Sequence, residues 1–428
     1  MKILFATGFL EDNLNANNKI TCTLARILRD MGHTCVVAGI SEYSEAKVVT
    51  EENFKKVYLN SRHICDRAFL AMELFVKKRN LPREKRRKLF SLAHPVYALA
   101  LYYKYNKAWG KSFSLPSYQE QTDKIITQWQ PDVVIASYSP AEHAFAAAQA
   151  NNGRSRLIAY QLDPWGLHSD ELLQKNRQEN VQKELSLFEM ADSVITTPVL
   201  LSLYQGDKQY SKYTDKMTAL DFPCFERPDY NPDIESVFDF DKENINILFA
   251  GTINDDNRNP RFILRALAKA REKAGNIKAY FLGTNSSDML KKYRSENDWV
   301  ICHENVSVDK ARRTIDKCDV LLNISNIFPN QVPSKIFEYF ATGKPVLNVE
   351  KIENCPAREY IDRYPLSFTV CEWDKDLNTE NLADKLCGFL QESKGKKAGY
   401  EKTKELFYSC TPEYSGEVFD KIIRSFIF

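Results

Sequence analysis

The segment "PSKIFEYFATGKPV", residues 333–346, places Lys335 and Glu338 three positions apart between two helix signals. Ser334 can cap the start of a helix, and Gly343 can supply the left-handed residue that ends one. These signals predict a short helix that carries both charged side chains on its first turns.

Glu338 is four residues after Ser334, whereas a capping box needs its acid three residues after the cap. Its carboxylate is therefore available to accept hydrogen bonds from both hydroxyls of a ribose. Helix N-termini favour phosphate, and Lys335 adds positive charge beside the exposed N–H groups. The alternative is an ion pair between the two side chains, which would contribute about 0.2–0.5 kcal/mol to helix stability.

Two earlier segments predict strands that end in glycine. In "LFAGTINDDNRNPRFILRAL" the strand is followed by Gly251 and Thr252, and Arg258 precedes a helix. In "YFLGTN" Gly283 likewise directly follows a predicted strand. Glycine lets the backbone approach a ligand closely, and a guanidinium can hold a diphosphate with paired hydrogen bonds. The alternatives are a surface arginine and two tight turns.

Candidates for acid–base chemistry follow two predicted strands of the N-terminal half. "YQLDPWGLH" supplies Asp163 and His168, which could orient or deprotonate an acceptor hydroxyl. His143, in "SYSPAEH", is a weaker candidate and is interpreted as structural. Asp163 precedes proline, so a turn-opening role is the alternative for it.

A basic segment at residues 77–88, "KKRNLPREKRRK", leads into the aromatic sequence "LFSLAHPVYALALYYKY". An interfacial element of this type binds anionic headgroups through its cations while its apolar residues enter the boundary layer. A solvated basic helix face explains the pattern equally well. The basic side chains proposed to meet a membrane or acceptor are Lys78, Arg79, Arg83, Lys85, Arg86, Arg87 and Lys88.

The elements that must position these residues alternate between apolar runs of strand length and amphipathic runs of helix length. This alternation predicts parallel βαβ units, and it occurs in two series. We therefore predict an α/β protein with two Rossmann-like, doubly wound parallel-sheet domains facing a cleft. Ligands of such sheets bind beyond the carboxyl ends of the strands.

The predicted boundaries follow changes in composition. Residues 1–225 are predicted to form a first domain, residues 226–244 a linker rich in proline and acid, and residues 245–410 a second domain. Residues 411–428 are predicted to form a helix that begins near Thr411 and packs back toward the N-terminal domain.

The composition excludes several classes of protein. A chain of 428 residues with 43% hydrophobic residues suits two globular domains, and a formal net charge of +2 gives no reason to expect a nucleic-acid partner. The ten cysteines include no CxxC pair, which argues for free thiols in a reducing compartment rather than a zinc site. The first apolar run is too short for a signal peptide.

The motif in residues 333–346 resembles the nucleotide-sugar site of GT-B glycosyltransferases, especially the retaining family-4 group. The resemblance is specific over roughly residues 246–349, and in general layout it extends over the whole chain. It implies that the first domain binds the acceptor and that the second domain binds the nucleotide sugar. It also implies that Glu338 binds the donor ribose and that Arg258 and Lys335 neutralise the diphosphate. Many members carry a second glutamate seven residues earlier, where this chain has Asn330. Asn330 can only exchange uncharged hydrogen bonds with the transferred sugar.

These observations predict a glycosyltransferase that moves a sugar, expected to be UDP-linked, to a surface-polysaccharide or lipid-linked saccharide acceptor. The expected catalytic residues are Asp163, His168 and Asn330; the donor-binding residues are Gly251, Thr252, Arg258, Gly283, Ser334, Lys335 and Glu338. No DxD motif follows a predicted strand, so neither a metal nor a cofactor is expected. The expected location is the cytoplasm, peripherally at the membrane. Two alternatives remain: a catalytically degenerate subunit, and a nucleotide-sugar epimerase or hydrolase of the same fold.

Overall fold

The computed structural model describes residues 1–10, 16–41, 47–51, 53–59, 114–138, 140–167, 177–253, 257–283, 288–374 and 378–427. These residues form two compact units. The first contains the described residues before Asp221 together with those from Ser415 onward, and the second is Asp221–Tyr414. The predicted linker, residues 226–244, is thus part of the second unit.

The first unit is built on an eight-stranded sheet in the order β3-β4-β2-β1-β5-β6-β7-β8. Its pairs are parallel except for the antiparallel pair β3–β4. The central strands are continuous apolar runs that are buried, as expected for a sheet covered on both faces. The strands are β1 Lys2–Phe9, β2 Thr34–Ile40, β3 Lys47–Glu51, β4 Phe54–Leu59, β5 Val133–Ser137, β6 Arg156–Gln161, β7 Ser193–Thr196 and β8 Met217–Ala219.

The helices of this unit follow the strands in sequence. They are α1 Ala16–Asp30, α2 Ser114–Trp129, α3 Ala141–Asn151, α4 Arg177–Met190 and α5 Pro198–Gly206, followed by the 3₁₀ helix Ser211–Lys216. Helix α3 begins directly after Pro140, as the sequence predicts.

The second unit contains a six-stranded, wholly parallel sheet in the order β11-β10-β9-β12-β13-β14. The strand order reverses between β9 and β12, and this switch point is where doubly wound sheets bind ligands. The strands are β9 Ile245–Ala250, β10 Ile277–Leu282, β11 Val300–His303, β12 Val320–Ile324, β13 Val346–Glu350 and β14 Ser367–Cys371.

The remaining helices are α6 Arg261–Ala274, α7 Asp288–Glu296, α8 Val308–Lys317, α9 Lys335–Ala341, α10 Arg358–Arg363, α11 Thr379–Ser393, α12 Tyr400–Leu406 and α13 Pro412–Ser425, with a 3₁₀ helix at Tyr408–Cys410. The predicted α/β fold with two parallel sheets is confirmed. The sequence analysis did not anticipate the β3–β4 hairpin, β14 or helices α10 to α12.

Helix α13 is capped as predicted, because the N–H of Tyr414 donates to Oγ1 of Thr411 at 3.2 Å. From Ser415 onward the helix belongs to the first unit. There Phe419 is buried against Tyr160, with ring centroids 5.1 Å apart, and Asp420 accepts a hydrogen bond from Nε2 of His33 at 2.7 Å. The apolar face of the helix thus packs on the sheet of the first unit.

No helix in the described ranges is long and apolar enough to cross a bilayer. Every cysteine within those ranges is a free thiol. Burial raises the pKa of Cys35 and of Cys318 to about 12, so these thiols are protonated and unreactive at neutral pH.

Candidate functional site

The carboxyl ends of β9 and β10 meet in a close backbone contact beside the switch point. Gly283 has a left-handed φ of 94°, and a Cβ placed on it would lie 2.8 Å from the carbonyl oxygen of Gly251. The N–H of Gly251 donates to the carbonyl of Leu282 at 2.9 Å. Both glycines are half-buried, and Thr252 beyond them is exposed. The two predicted glycine turns therefore form one small backbone platform at the edge of the sheet.

Helix α9 is fastened to this platform by Tyr339. The hydroxyl of this buried tyrosine accepts from the N–H of Ala250 at 3.1 Å and donates to the carbonyl of the same residue at 3.2 Å. Ala250 is the last residue of β9, immediately before Gly251. The contact fixes α9, and with it the side chains of Lys335 and Glu338, relative to the end of the strand.

Lys335 and Glu338 form an ion pair in the structure, with Nζ and Oε2 3.0 Å apart. Both side chains are partly exposed, at 43% and 33%. An exposed pair of this kind contributes little to stability, so a ligand can replace it at small cost. The pair leaves both groups accessible to a ligand that carries phosphate and hydroxyls.

Ser334 differs from the expectation in one respect. It occupies the N-cap position of α9, but its side chain makes no capping hydrogen bond, because its backbone is already helical with φ −56° and ψ −24°. The predicted left-handed end of the helix is confirmed, since Gly343 has a φ of 74°. Helix α9 is only seven residues long.

Arg258 lies in the segment between Gly251 and α6, and its side chain is half-buried. Burial lowers the pKa of its guanidinium, while an electrostatic interaction with Tyr339 raises it. Arg258 therefore interacts electrostatically with the tyrosine that attaches α9 to β9. The group remains a cation at neutral pH, as arginine does in proteins.

The loop between β12 and α9 carries Asn330. Its first part is ordered by Asn326, whose Oδ1 accepts from the N–H of Phe328 at 3.0 Å and whose Nδ2 donates to Oε1 of Gln331 at 3.4 Å. Asn330 is half-buried in this loop.

Asp163 lies in the first unit, in the loop that follows β6, and is half-buried. The loop is held by Glu184, a fully buried acid on α4. Glu184 accepts from the N–H of Trp165 at 3.2 Å and of Gly166 at 2.8 Å. It also accepts from the Tyr210 hydroxyl at 2.6 Å.

Burial raises the pKa of Glu184, and the hydrogen bonds that it accepts oppose that shift. The sequence analysis overlooked this acid because α4 carries many polar residues, and nothing in its pattern marks Glu184 as a buried one. Its role is to fix the loop that carries Asp163.

The remaining predicted residues are distributed as follows. His168 and the seven basic residues Lys78, Arg79, Arg83, Lys85, Arg86, Arg87 and Lys88 lie outside the described residues. His143 is fully buried, with its ring centroid 4.9 Å from that of Tyr118, and burial lowers its pKa to about 4. These contacts agree with its interpretation as structural. Within the described ranges no group of three or more His, Cys, Asp or Glu residues could hold a metal ion.

Comparison with known proteins identifies a domain in the second unit. Residues 244–391 match the family described as Glycosyl transferases group 1. This range includes the site on β9, β10 and α9. No curated protein sequence matches the chain.

Several solved structures share the fold over the whole chain. Sucrose-phosphate synthase from Thermosynechococcus elongatus has a TM-score of 0.62 at 12% identity, covering 100% of this chain and 99% of that one. Trehalose-6-phosphate synthase from E. coli, bound with UDP-2-fluoro glucose, has a TM-score of 0.55 at 10% identity, covering 99% of each chain. UDP-GlcNAc 2-epimerase from Methanocaldococcus jannaschii has a TM-score of 0.56 at 11% identity, covering 99% of this chain and 100% of that one. The fold is GT-B.

Proposed function

Because the chain is a glycosyltransferase with a Glycosyl transferases group 1 domain, we propose that it takes its sugar from a nucleotide-sugar donor bound at the carboxyl edge of the second sheet. The expected donor is a UDP-sugar and the expected acceptor a surface-polysaccharide or lipid-linked saccharide. The UDP preference is supported by the UDP compounds named for the E. coli and Methanocaldococcus proteins.

The observation that carries this proposal is the assembly of two cations, an acid and a backbone platform at the carboxyl edge of the second sheet. Gly251 and Gly283 bring the turns after β9 and β10 into close backbone contact, and Arg258 and Lys335 supply positive charge. Glu338 supplies the acceptor for two ribose hydroxyls. A nucleotide sugar presents the complementary groups: two ribose hydroxyls and a doubly charged diphosphate, which departs as part of the leaving group.

In the proposed reaction the bond between the sugar and the diphosphate breaks as the acceptor oxygen attacks. Arg258 and Lys335 stabilise the charge that develops on the diphosphate, which is the largest electrostatic demand of the step. Binding of the diphosphate would replace the Lys335–Glu338 pair, so that the ammonium turns to phosphate and the carboxylate to ribose. Retention of configuration and independence of metal are part of the proposal and follow from the resemblance to family 4.

Asp163 is proposed to orient or deprotonate the acceptor hydroxyl. The Glu184 network supports this role, because it holds the loop after β6 in one conformation. The basic segment at residues 77–88 is the basis for proposing a lipid-linked acceptor at the cytoplasmic face of a membrane. Asn330 is proposed to contact the transferred sugar through uncharged hydrogen bonds.

Calorimetric titration with UDP, GDP and ADP and their common sugar conjugates tests the donor site, with and without EDTA. We expect one nucleotide to bind without metal, and Glu338→Ala to weaken its binding about tenfold to a hundredfold, as for loss of hydrogen bonds to a charged group. Glu392→Ala is the matched control, because Glu392 is also an exposed helical acid paired with a lysine, Lys396 at 3.7 Å. Absence of binding at millimolar concentration, or equal binding by Glu338→Ala, would contradict the proposal.

An epimerase of the same fold would also bind a UDP-sugar, so a second measurement distinguishes the reactions. Incubation of the enzyme with the bound nucleotide sugar and candidate saccharides should release free nucleotide only when an acceptor is present. Conversion of the sugar within the nucleotide conjugate, without acceptor, would favour the epimerase.

A further inference from the structure

Lys351 is a buried cation at the carboxyl edge of the second sheet that the proposed reaction does not use. It follows the last residue of β13 directly, and its side chain is only 8% exposed. A lysine buried to this extent must have its ammonium satisfied by nearby oxygen atoms, because an unpaired buried charge is strongly unfavourable. Where those oxygen atoms come from indicates what the residue does.

Lys351 joins three segments that are distant in sequence. Its Nζ donates to the carbonyl of Asn259 at 2.7 Å and lies 2.7 Å from Oε2 of Glu372, which follows β14. Its backbone N–H donates to Oγ of Ser325, which follows β12, at 3.1 Å. One residue therefore connects the ends of β12, β13 and β14 with the segment that precedes α6.

The contact with Asn259 is the informative one, because Asn259 is the residue after Arg258. The side chain of Asn259 accepts from the N–H of Arg261 at 2.9 Å, so this residue is fixed at its carbonyl by Lys351 and at its side chain by α6. Arg258 lies between that fixed point and the glycine platform. The direction of its guanidinium thus depends on where the Asn259 carbonyl is held.

The charge of Lys351 is offset by Glu372 at hydrogen-bond distance, so the pair is close to neutral as a unit. A pair without net charge does not compete with Arg258 or Lys335 for a diphosphate. Lys351 instead contributes by holding a backbone carbonyl in place. Its ammonium donates a hydrogen bond to the Asn259 carbonyl, which an apolar side chain of the same length cannot do.

We propose that Lys351, anchored by Glu372, is a positioning residue for the donor diphosphate. It holds the Asn259 carbonyl in place and thereby directs Arg258 toward the leaving group. This inference rests on the proposed function, because it requires a diphosphate in the donor site.

The second unit offers a matched control for Lys351. Lys344 is also a buried lysine, 5% exposed, and its Nζ also donates to a backbone carbonyl, that of Cys318, at 2.7 Å. Cys318 and Lys344 precede β12 and β13, respectively, at the opposite edge of the sheet from the site. Replacing either lysine by methionine removes one buried hydrogen bond to a carbonyl, but only Lys351 lies next to the Arg258 segment.

The test compares the binding of a nucleoside diphosphate with that of the matching monophosphate, using whichever of UDP, GDP and ADP the wild-type protein binds most tightly. We expect Lys351→Met to lower the ratio of the two affinities about tenfold and Lys344→Met to leave it unchanged. Loss of stability alone would not change this ratio in a protein that remains folded at the temperature of measurement.

A double-mutant cycle with Arg258→Ala identifies the route of the effect. If Lys351 acts through Arg258, then Lys351→Met should cause little further loss in a protein that already lacks the guanidinium. Equal losses in the presence and absence of Arg258 would overturn the inference, as would an unchanged ratio in folded Lys351→Met. If Lys351→Met does not fold, Glu372→Gln, which retains the lysine but weakens its anchor, should lower the ratio to a smaller degree; an unchanged ratio in that variant would also overturn the inference.

The outcomes separate this inference from the function on which it rests. Wild-type protein that binds no nucleoside diphosphate contradicts the proposed function, and the role of Lys351 is rejected with it. Wild-type protein that binds one, with a ratio insensitive to Lys351→Met, contradicts only the role of Lys351.

Discussion

At the scale of single residues, the donor site depends on polar groups that are buried within apolar surroundings. Tyr339 is on the buried face of α9, yet its hydroxyl forms both hydrogen bonds to the last residue of β9. A phenylalanine would fill the same space and leave the N–H of Ala250 without this partner. The hydroxyl therefore affects how α9 is placed relative to β9, and through this the positions of Lys335 and Glu338.

Tyr339→Phe should lower the free energy of unfolding by about 1–2 kcal/mol, the usual cost of a buried hydrogen bond. It should also weaken nucleotide binding, because α9 loses its attachment to β9. Urea unfolding and calorimetry measure the two effects. Tyr364→Phe is the control: its hydroxyl donates to the carbonyl of Lys344 at 2.8 Å, so it should lose similar stability and keep its affinity. Equal affinities of Tyr339→Phe and wild type would show that this hydroxyl does not position the site.

At the scale of secondary-structure elements, the turns after β9 and β10 set how closely a ligand can approach the sheet. Gly283 combines a left-handed φ with a neighbouring backbone oxygen at a distance that no Cβ tolerates. The two constraints are separable, because Gly275, at the end of α6, has a φ of 78° with nothing within 4 Å of a Cβ. An alanine at Gly275 would thus cause backbone strain alone. An alanine at Gly283 would cause backbone strain and a steric clash with the Gly251 carbonyl.

Gly275→Ala should cost about 1 kcal/mol of stability, from the left-handed backbone alone. Gly283→Ala should cost more, since the new methyl group must also displace the Gly251 carbonyl, and it should weaken nucleotide binding. Thermal unfolding of both variants gives the comparison. A Gly283→Ala protein that is as stable as Gly275→Ala and binds nucleotide normally would show that the two turns are not in contact in solution.

Much of this architecture was predictable from sequence, because β9, β10, β12 and β13 are buried apolar runs separated by helix-length segments. The glycine turns and the α9 segment were predictable for the same local reasons. The contacts that assemble the site were not. Tyr339 and Ala250 are 89 positions apart, and Lys351 and Asn259 are 92 apart, and no periodic pattern connects such pairs.

The β3–β4 hairpin was overlooked for a different reason. Residues 47–50 of β3 are exposed, including Val48 at 60%, so no buried face creates the alternation that identifies a strand. The expected capping bond of Ser334 was wrong because a residue with helical backbone angles cannot present its side chain to the first-turn N–H groups.

At the scale of the whole molecule, the first unit is completed by a segment from the far end of the chain. Helix α13 is held there by an apolar contact, Phe419 on Tyr160, and by a polar one between Asp420 and His33. Gly416 allows the helix to approach α1 closely, since a Cβ at this position would lie 2.3 Å from Cγ2 of Ile27. The attachment of the helix combines close packing with a charged hydrogen bond.

The stability from Asp420 should depend on pH. Partial burial opposes its ionisation, but hydrogen bonds from Arg424 and His33 outweigh this and lower the pKa of the carboxyl. A lowered pKa in the folded state means that the stabilisation is complete above the unfolded value, near 3.9, and is lost as pH falls through the folded value.

Asp420→Asn should therefore be less stable than wild type at pH 7, by about 1 kcal/mol or less, and the difference should shrink as pH falls below about 4. Thermal unfolding between pH 3 and pH 7 measures the difference. Asp309→Asn is the control, since Asp309 is an exposed acid 3.9 Å from Arg312 and should show no such gap. A gap for Asp420→Asn that is constant with pH would contradict this account.

Because residues from Ser415 onward belong to the first unit, a ribosome delivers the last part of that unit only after the whole second unit has been made. At about 5–20 residues per second, the interval between Leu220 and Ser415 lasts roughly 10–40 s. Throughout it, Tyr160 lacks the cover of Phe419, and the nascent first unit presents an apolar strip that chaperones can bind. The second unit, Asp221–Tyr414, is continuous in sequence and needs no such wait. A chain released before Ser415 should stay in the uncovered state and bind ANS more strongly than the full-length protein.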